Sequence, residues 1–227
     1  RRAMPPSRST AARTPAAVRI RFQGTAAFSV PATAEELATN LVGGAVTEEG
    51  ITTHFCPEGH YTPATMPGSE PCRRHTVLVP GQPALVVVSW AEQGGAWRFV
   101  LPSGEGDLSG YTTLSLRVAV DPLSPLNLAA SEQAFTLQLT DRAGNRAAVS
   151  TRSGEPALAF PAGLVQEDDF SGVFFTGPVP MITIRWTLNE FDGLDLAAIG
   201  EIALLFDRTP SGSLFVGDIE WVKPSQP

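Results

Sequence analysis

The stretch Phe191–Trp221, FDGLDLAAIGEIALLFDRTPSGSLFVGDIEW, decides the fold. It reads as a polar-edged turn, an apolar ladder (EIALLFD, 201–207), a Pro/Gly turn (RTPSG, 208–212) and a second ladder (SLFVGDIEWV, 213–222). Short apolar ladders set apart by turn residues are the mark of antiparallel strands.

The same pattern repeats upstream. In YTTLSLRVAV (111–120), Leu114, Leu116, Val118 and Val120 take one side, and Thr113, Ser115, Arg117 and Ala119 the other. AFTLQLTD (134–141) sets Phe135, Leu137 and Leu139 against Thr136 and Gln138, then meets DRAGN, where Asp141 and Gly144 suit a hairpin turn before RAAVST returns. MITIRWTL (181–188) places Ile182, Ile184, Trp186 and Leu188 inward, and Thr183, Arg185 and Thr187 outward. AWRFVL (96–101) is a further strand, and ALVVVSW (84–90) is nearly continuous in apolar residues. Side chains alternate along a strand, so eight or more such segments predict an all-β, two-sheet antiparallel sandwich.

Composition agrees. The chain has 227 residues, 43% of them hydrophobic, with 21 Gly and 20 Pro, which favours turns over long helices. No apolar run approaches the roughly 18 residues of a membrane-spanning helix. The net charge is −7, and six arginines precede the first acidic residue. The remaining acidic body argues against nucleic acid as a partner. The chain opens on Arg1 with no signal-peptide layout, as expected of a mature product or an excised piece.

Residues 1–17 have the composition of a disordered linker or tail. A single sandwich domain is expected over 18–227, beginning with a strand at VRIRFQ (18–23). Its part from 24 to 80 is loop-rich, with one short helix in VPATAEELATNLVGG (30–44). Cys56 and Cys72 bracket a Pro/Gly-rich stretch that also holds His54, His60 and His75, the only histidines. A disulfide suits this layout and implies an oxidising compartment. Mixed Cys/His zinc ligation and free thiols remain open beside it.

Three pieces carry a family resemblance: FDGLDLAAIGEIALLF with GSLFVGDIEW, GDLSGYTTLSLRVAV, and FTLQLTDRAGN. Together they resemble jelly-roll carbohydrate-binding modules and related galactose-binding-like domains over most of residues 90–222. The resemblance implies a jelly roll whose last strand pairs with the first. It also implies a non-catalytic, extracellular or periplasmic module for a polysaccharide or other surface ligand, with attachment to a secreted hydrolase as one setting. The family's structural calcium is in doubt, because Gly217 stands where the first acid of Asp-Asp-Ile belongs, leaving Asp218 beside it. QEDDFSG, with Glu167, Asp168 and Asp169, is a weak alternative donor loop. No other cofactor is expected.

Catalytic signals are poor. There is no Gly-x-Ser-x-Gly elbow and no phosphate loop, and the single lysine is Lys223. Nothing singles out a carboxylate pair of the glycosidase kind. Binding signals are better. The alternation projects Ser115, Arg117, Thr136, Gln138, Thr183 and Arg185 from the non-core face, and Arg117, Gln138 and Arg185 offer planar donors to ligand hydroxyl or carboxylate groups. Trp97 and Tyr111, near strand starts beside Gly-rich loops, are candidates to stack on a sugar ring. The competing expectation is a sandwich that packs on a partner domain or subunit through 24–80 and the apolar segment around Phe174 and Phe175.

Overall fold

The computed structural model describes residues 25–28, 44–57, 60–61, 77–78, 84–122, 124–127, 132–160, 165–168, 172–175 and 181–223. In chain order the strands are β1 (Thr25–Phe28), β2 (Val46–Glu49), β3 (Thr52–Pro57), β4 (His60–Tyr61), β5 (Val77–Leu78), β6 (Ala84–Trp90), β7 (Gly95–Val100), β8 (Thr113–Val120), β9 (Thr136–Asp141), β10 (Arg146–Ser150), β11 (Val165–Asp168), β12 (Gly172–Phe175), β13 (Ile182–Thr187), β14 (Ile199–Phe206) and β15 (Gly212–Val222). Among the described residues the only helical pieces are 3₁₀ turns at Pro125–Asn127 and Leu188–Glu190. The tail at 1–17, the strand expected at 18–23 and, apart from Gly44, the helix expected at 30–44 lie outside the described residues. So do Cys72 and His75, and the Cys56 side chain.

The strands form an antiparallel β-sandwich of jelly-roll type. A six-stranded sheet runs β13-β8-β15-β6-β3 with β1 added on β15, and a five-stranded sheet runs β10-β9-β14-β7-β2. β15 is the hub of the larger sheet. One edge pairs with β8; the other pairs with β6 through Gly212–Val216 and with β1 through Ile219–Val222, so the last strand closes on the first. The stretch expected to be loop-rich supplies both far edges, β2 and β3. The acidic QEDDFSG segment and the Phe174-Phe175 segment, read from sequence as loops, belong in part to paired strands β11 and β12.

Alternation builds the core. Leu114, Leu116, Val118 and Val120 of β8 meet Leu137 and Leu139 of β9 and Ile202, Leu204 and Phe206 of β14 in one buried cluster. Trp90 stacks on Phe206 with ring centroids 4.4 Å apart, a geometry worth about 0.5–1.5 kcal/mol beyond area burial. Trp186 and Trp221 are core residues, as expected from their inward positions. Ile182 shares their parity but is 37% exposed at the start of edge strand β13, where no further strand flanks it.

Two bulges adjust the pattern. β15 slips one residue against β8 between Val216 and Ile219, and β14 slips against β9 between Ile199 and Glu201. Each inserts one extra residue and re-aims the strand beyond it.

The opening segment FDGLDLAAIG is knotted to two other loops at one end of the sandwich. The β9–β10 turn is a three-residue loop with Gly144 at φ 90°, a left-handed position that glycine adopts without strain. Its Asp141 carboxylate accepts from the Asn145 backbone N–H at 2.9 Å, the Asn145 amide at 2.8 Å and the Asp195 N–H at 3.2 Å. Next to it, Arg142 donates to the Leu101 and Pro102 carbonyls. Gly106 packs so closely on Ile199 that a Cβ there would sit 1.7 Å from the Ile199 carbonyl oxygen.

Candidate functional site

The two sheets present very different outer faces. On the six-stranded sheet one row runs Ala119–Phe215–Val87 across β8, β15 and β6. All three point away from the sandwich core, yet they are 4%, 0% and 0% exposed. The next row is polar, with Ser213, Asp121 and Asn127 buried and Ser89 partly so. The Ser213 hydroxyl lies 2.9 Å from Ser89 Oγ and donates to Asp121 Oδ2 at 3.2 Å. The Asn127 amide donates to the Asp121 and Ser213 carbonyls, and its oxygen accepts from Ser213 N at 2.8 Å. Every member of that set is hydrogen-bonded, which is what permits it to be buried.

The five-stranded sheet is wetter. Register places Ala148, Gln138, Ala203, Arg98 and Thr47 in one row across β10, β9, β14, β7 and β2. At strand spacings near 4.8 Å that row spans about 19 Å. Beside it runs Arg146–Thr140–Glu201–Val100. Ala203 is buried as a small floor residue, while Arg98 and Glu201 keep 30% and 28% of their side chains exposed. Arg98 Nη1 donates to Glu201 Oε1 at 3.1 Å, and its Nη2 lies 4.0 Å from Glu49 Oε2. The guanidinium has five N–H donors, so this arrangement leaves donors to spare. The half-buried Gln138 amide has no partner among the described residues.

The structure divides the sequence-predicted set. Arg117 and Arg185 lie on β8 and β13 of the larger sheet, diagonal to one another because Thr183 is the register partner of Arg117. Gln138 lies on β9 of the smaller sheet, so the six projected polar residues do not form one strip. Trp97 is 2% exposed and packs in the core against Phe99, 4.6 Å between centroids. Its indole faces the interior because β7 buries Trp97 and Phe99 and turns Arg98 outward. Tyr111 is half-buried against the core, with the Lys223 ammonium 5.0 Å from its ring centroid. Arg98, Glu201 and Glu49 were not singled out from sequence. The usable signal was Arg98 itself, the one charged residue in the apolar segment AWRFVL.

Among the described residues, two carboxyls are perturbed. The Asn145 amide foremost, then backbone N–H groups including that of Asp195, hold Asp141 below the usual range against the opposing effect of desolvation. The Ser109 hydroxyl and N–H do the same for exposed Asp107. Both are turn locks.

Gly217, buried within the β15 bulge, brings no carboxylate there, and no cluster of three or more His, Cys, Asp or Glu among the described residues is placed to hold a metal. No helix of the described residues is long and apolar enough to cross a membrane.

No protein-family model matches the chain, and no curated protein matches it in sequence. Among solved structures it is similar to the family 11 carbohydrate-binding module from Clostridium thermocellum in complex with a β-1,3-1,4-mixed-linked tetrasaccharide, at 13% identity and a TM-score of 0.48, covering 90% of this chain and 98% of that one. It is also similar to the family 11 module of a cellulosomal cellulase of Clostridium thermocellum, at 15% identity and a TM-score of 0.43, covering 81% and 89% of the two chains. A third likeness is to an arabinose-bound α-L-arabinofuranosidase, at 13% identity and a TM-score of 0.47, covering 88% of this chain and 26% of that one.

Proposed function

We propose that the protein is a non-catalytic carbohydrate-binding module that holds a polysaccharide against the outer face of its five-stranded sheet. The observation that carries this reading is the Gln138–Ala203–Arg98 row. It sets donors and acceptors side by side on one sheet, on a face that stays half-open across its centre, where the opposite face is closed over Val87, Phe215 and Ala119. Hydroxyl-rich ligands need many polar contacts held in fixed geometry. The family motifs in residues 90–222 give the reading its ligand class. A secreted setting, service as an accessory domain of a hydrolase and a Cys56–Cys72 disulfide belong to the same proposal, as does operation without a cofactor.

The partner-docking alternative draws no support from the described surface. Its exposed large hydrophobic residues are Val100 and Ile182, on different sheets, and they make no contiguous apolar patch. Affinity electrophoresis through gels containing mixed-linked β-glucan, xylan, galactomannan or hydroxyethylcellulose tests the proposal. Retardation in at least one gel is expected, and free migration through all of them would remove it.

A further inference from the structure

The chain has four tryptophans, and all four are spent on the core: Trp90, Trp97, Trp186 and Trp221 are 1–3% exposed. Tyr111 is half-buried and has a cation over its ring. No indole is therefore available as the flat apolar platform on which a pyranose stacks its C–H face. Ordered polysaccharide surfaces present mainly such faces, and the described outward rows of the five-stranded sheet hold no aromatic side chain with which to grip them.

The charge on the open face points the same way. Arg98, its central cation, is met by Glu201 at 3.1 Å and by Glu49 at 4.0 Å, and with Arg146 exposed at the β10 edge the described face sets two carboxylates against two guanidinium groups, with no net positive charge to draw in a polyanion. A uronate or sulfate arriving there would meet those carboxylates as well as the arginine. Neutral hydroxyls meet no such opposition. They can accept from the remaining Arg98 N–H donors, donate to Glu201, and both donate to and accept from the Gln138 amide. Arg98 and Gln138 stand on the strands either side of β14, about 9–10 Å apart at the backbone. That spacing suits one sugar unit bridged between two donors.

We infer that this face selects neutral, soluble polysaccharide chains by hydrogen bonding, with Arg98 and Gln138 as the residues that grip the ligand, and that it discriminates against polyanions and crystalline surfaces. The inference rests on the glycan-binding proposal and narrows it.

The test uses the full chain against three sets of probes: the neutral soluble polymers named above, alginate and dextran sulfate as polyanions, and microcrystalline cellulose in a pull-down, each at low and high salt. Retention by a neutral polymer that changes less than about twofold with salt is expected, since no net charge attraction is there to screen. Arg98→Ala should weaken that retention roughly 10- to 100-fold, the scale of a lost hydrogen bond to a charged group. Gln138→Ala, at a half-exposed position, should weaken it about 5-fold. Thermal melts establish that each variant is folded, and the Gln138 variant carries the test if Arg98→Ala does not fold. Tight, salt-sensitive retention by a polyanion, capture on microcrystalline cellulose, or unchanged affinity in both variants would overturn the inference while leaving glycan binding intact. Indifference to every polymer would overturn the parent proposal.

Discussion

The outer faces of the two sheets obey the same alternation and meet opposite fates at their centres. On the six-stranded sheet the outward-pointing Val87, Phe215 and Ser213 are all 0% exposed. On the five-stranded sheet the corresponding positions hold Arg98, Gln138 and Glu201, all partly in water. The difference is visible in strand composition. β6 reads ALVVVSW, apolar on both parities, as a strand buried on both faces must be. β7 reads GAWRFV, with its charge on one parity only. A continuous apolar strand such as β6 marks where an outer face is closed, and an alternating one marks where it reaches water, as β7 does on the smaller sheet and β8 and β13 do at the Arg117 and Arg185 end of the larger one.

Truncation is the bluntest way to break this comparison. Phe215→Ala is expected to cost about 3–5 kcal/mol in urea unfolding, as a core phenylalanine does, although Phe215 lies outside the sandwich core. A cost below about 1 kcal/mol would show that the closed face is not packed as a second core. Asn127→Ala should follow at about 2–3 kcal/mol, because it leaves the Ser213 N–H and the Asp121 carbonyl without their partner in a buried setting. Equal urea midpoints for variant and wild type would contradict that.

The end-loop knot supplies a pH test. Asp141 has a lowered folded-state pKa, so its stabilising effect is present above the unfolded value of about 3.9 and is lost as pH falls through the folded value. Below about pH 5 the urea midpoint of the wild type should therefore decline more steeply than that of Asp141→Asn. Parallel declines would assign acid sensitivity elsewhere. The smallest effect belongs to the open face. Val100→Thr, at 39% exposure, should shift stability by no more than about 0.5 kcal/mol, and a larger loss would mean that this face is packed too.

Much of the fold was legible from residue order. Leu114, Leu116, Val118 and Val120 were readable as one face of a strand, and Asp141 with Gly144 as a hairpin turn, because both depend only on near neighbours. The grouping of polar residues was not. Arg117 and Gln138 have the same outward parity in similar strands, but β8 pairs with β15 and β13 while β9 pairs with β14 and β10. That places them on opposite sides of the molecule. Trp97 looked as available as Tyr111, since both stand beside Gly-rich loops. Trp97 is interior because Leu204, more than a hundred positions away, is its partner across β14.

By itself, then, residue order determined that this chain folds as alternating strands around an apolar interior, because the period of two is a local property of extended backbone. Tertiary structure alone decided which strands neighbour one another. It thereby brought Arg98, Glu201 and Gln138 onto one open face and shut Val87 and Phe215 away on the other, since strand pairing is settled by contacts between segments far apart in the chain.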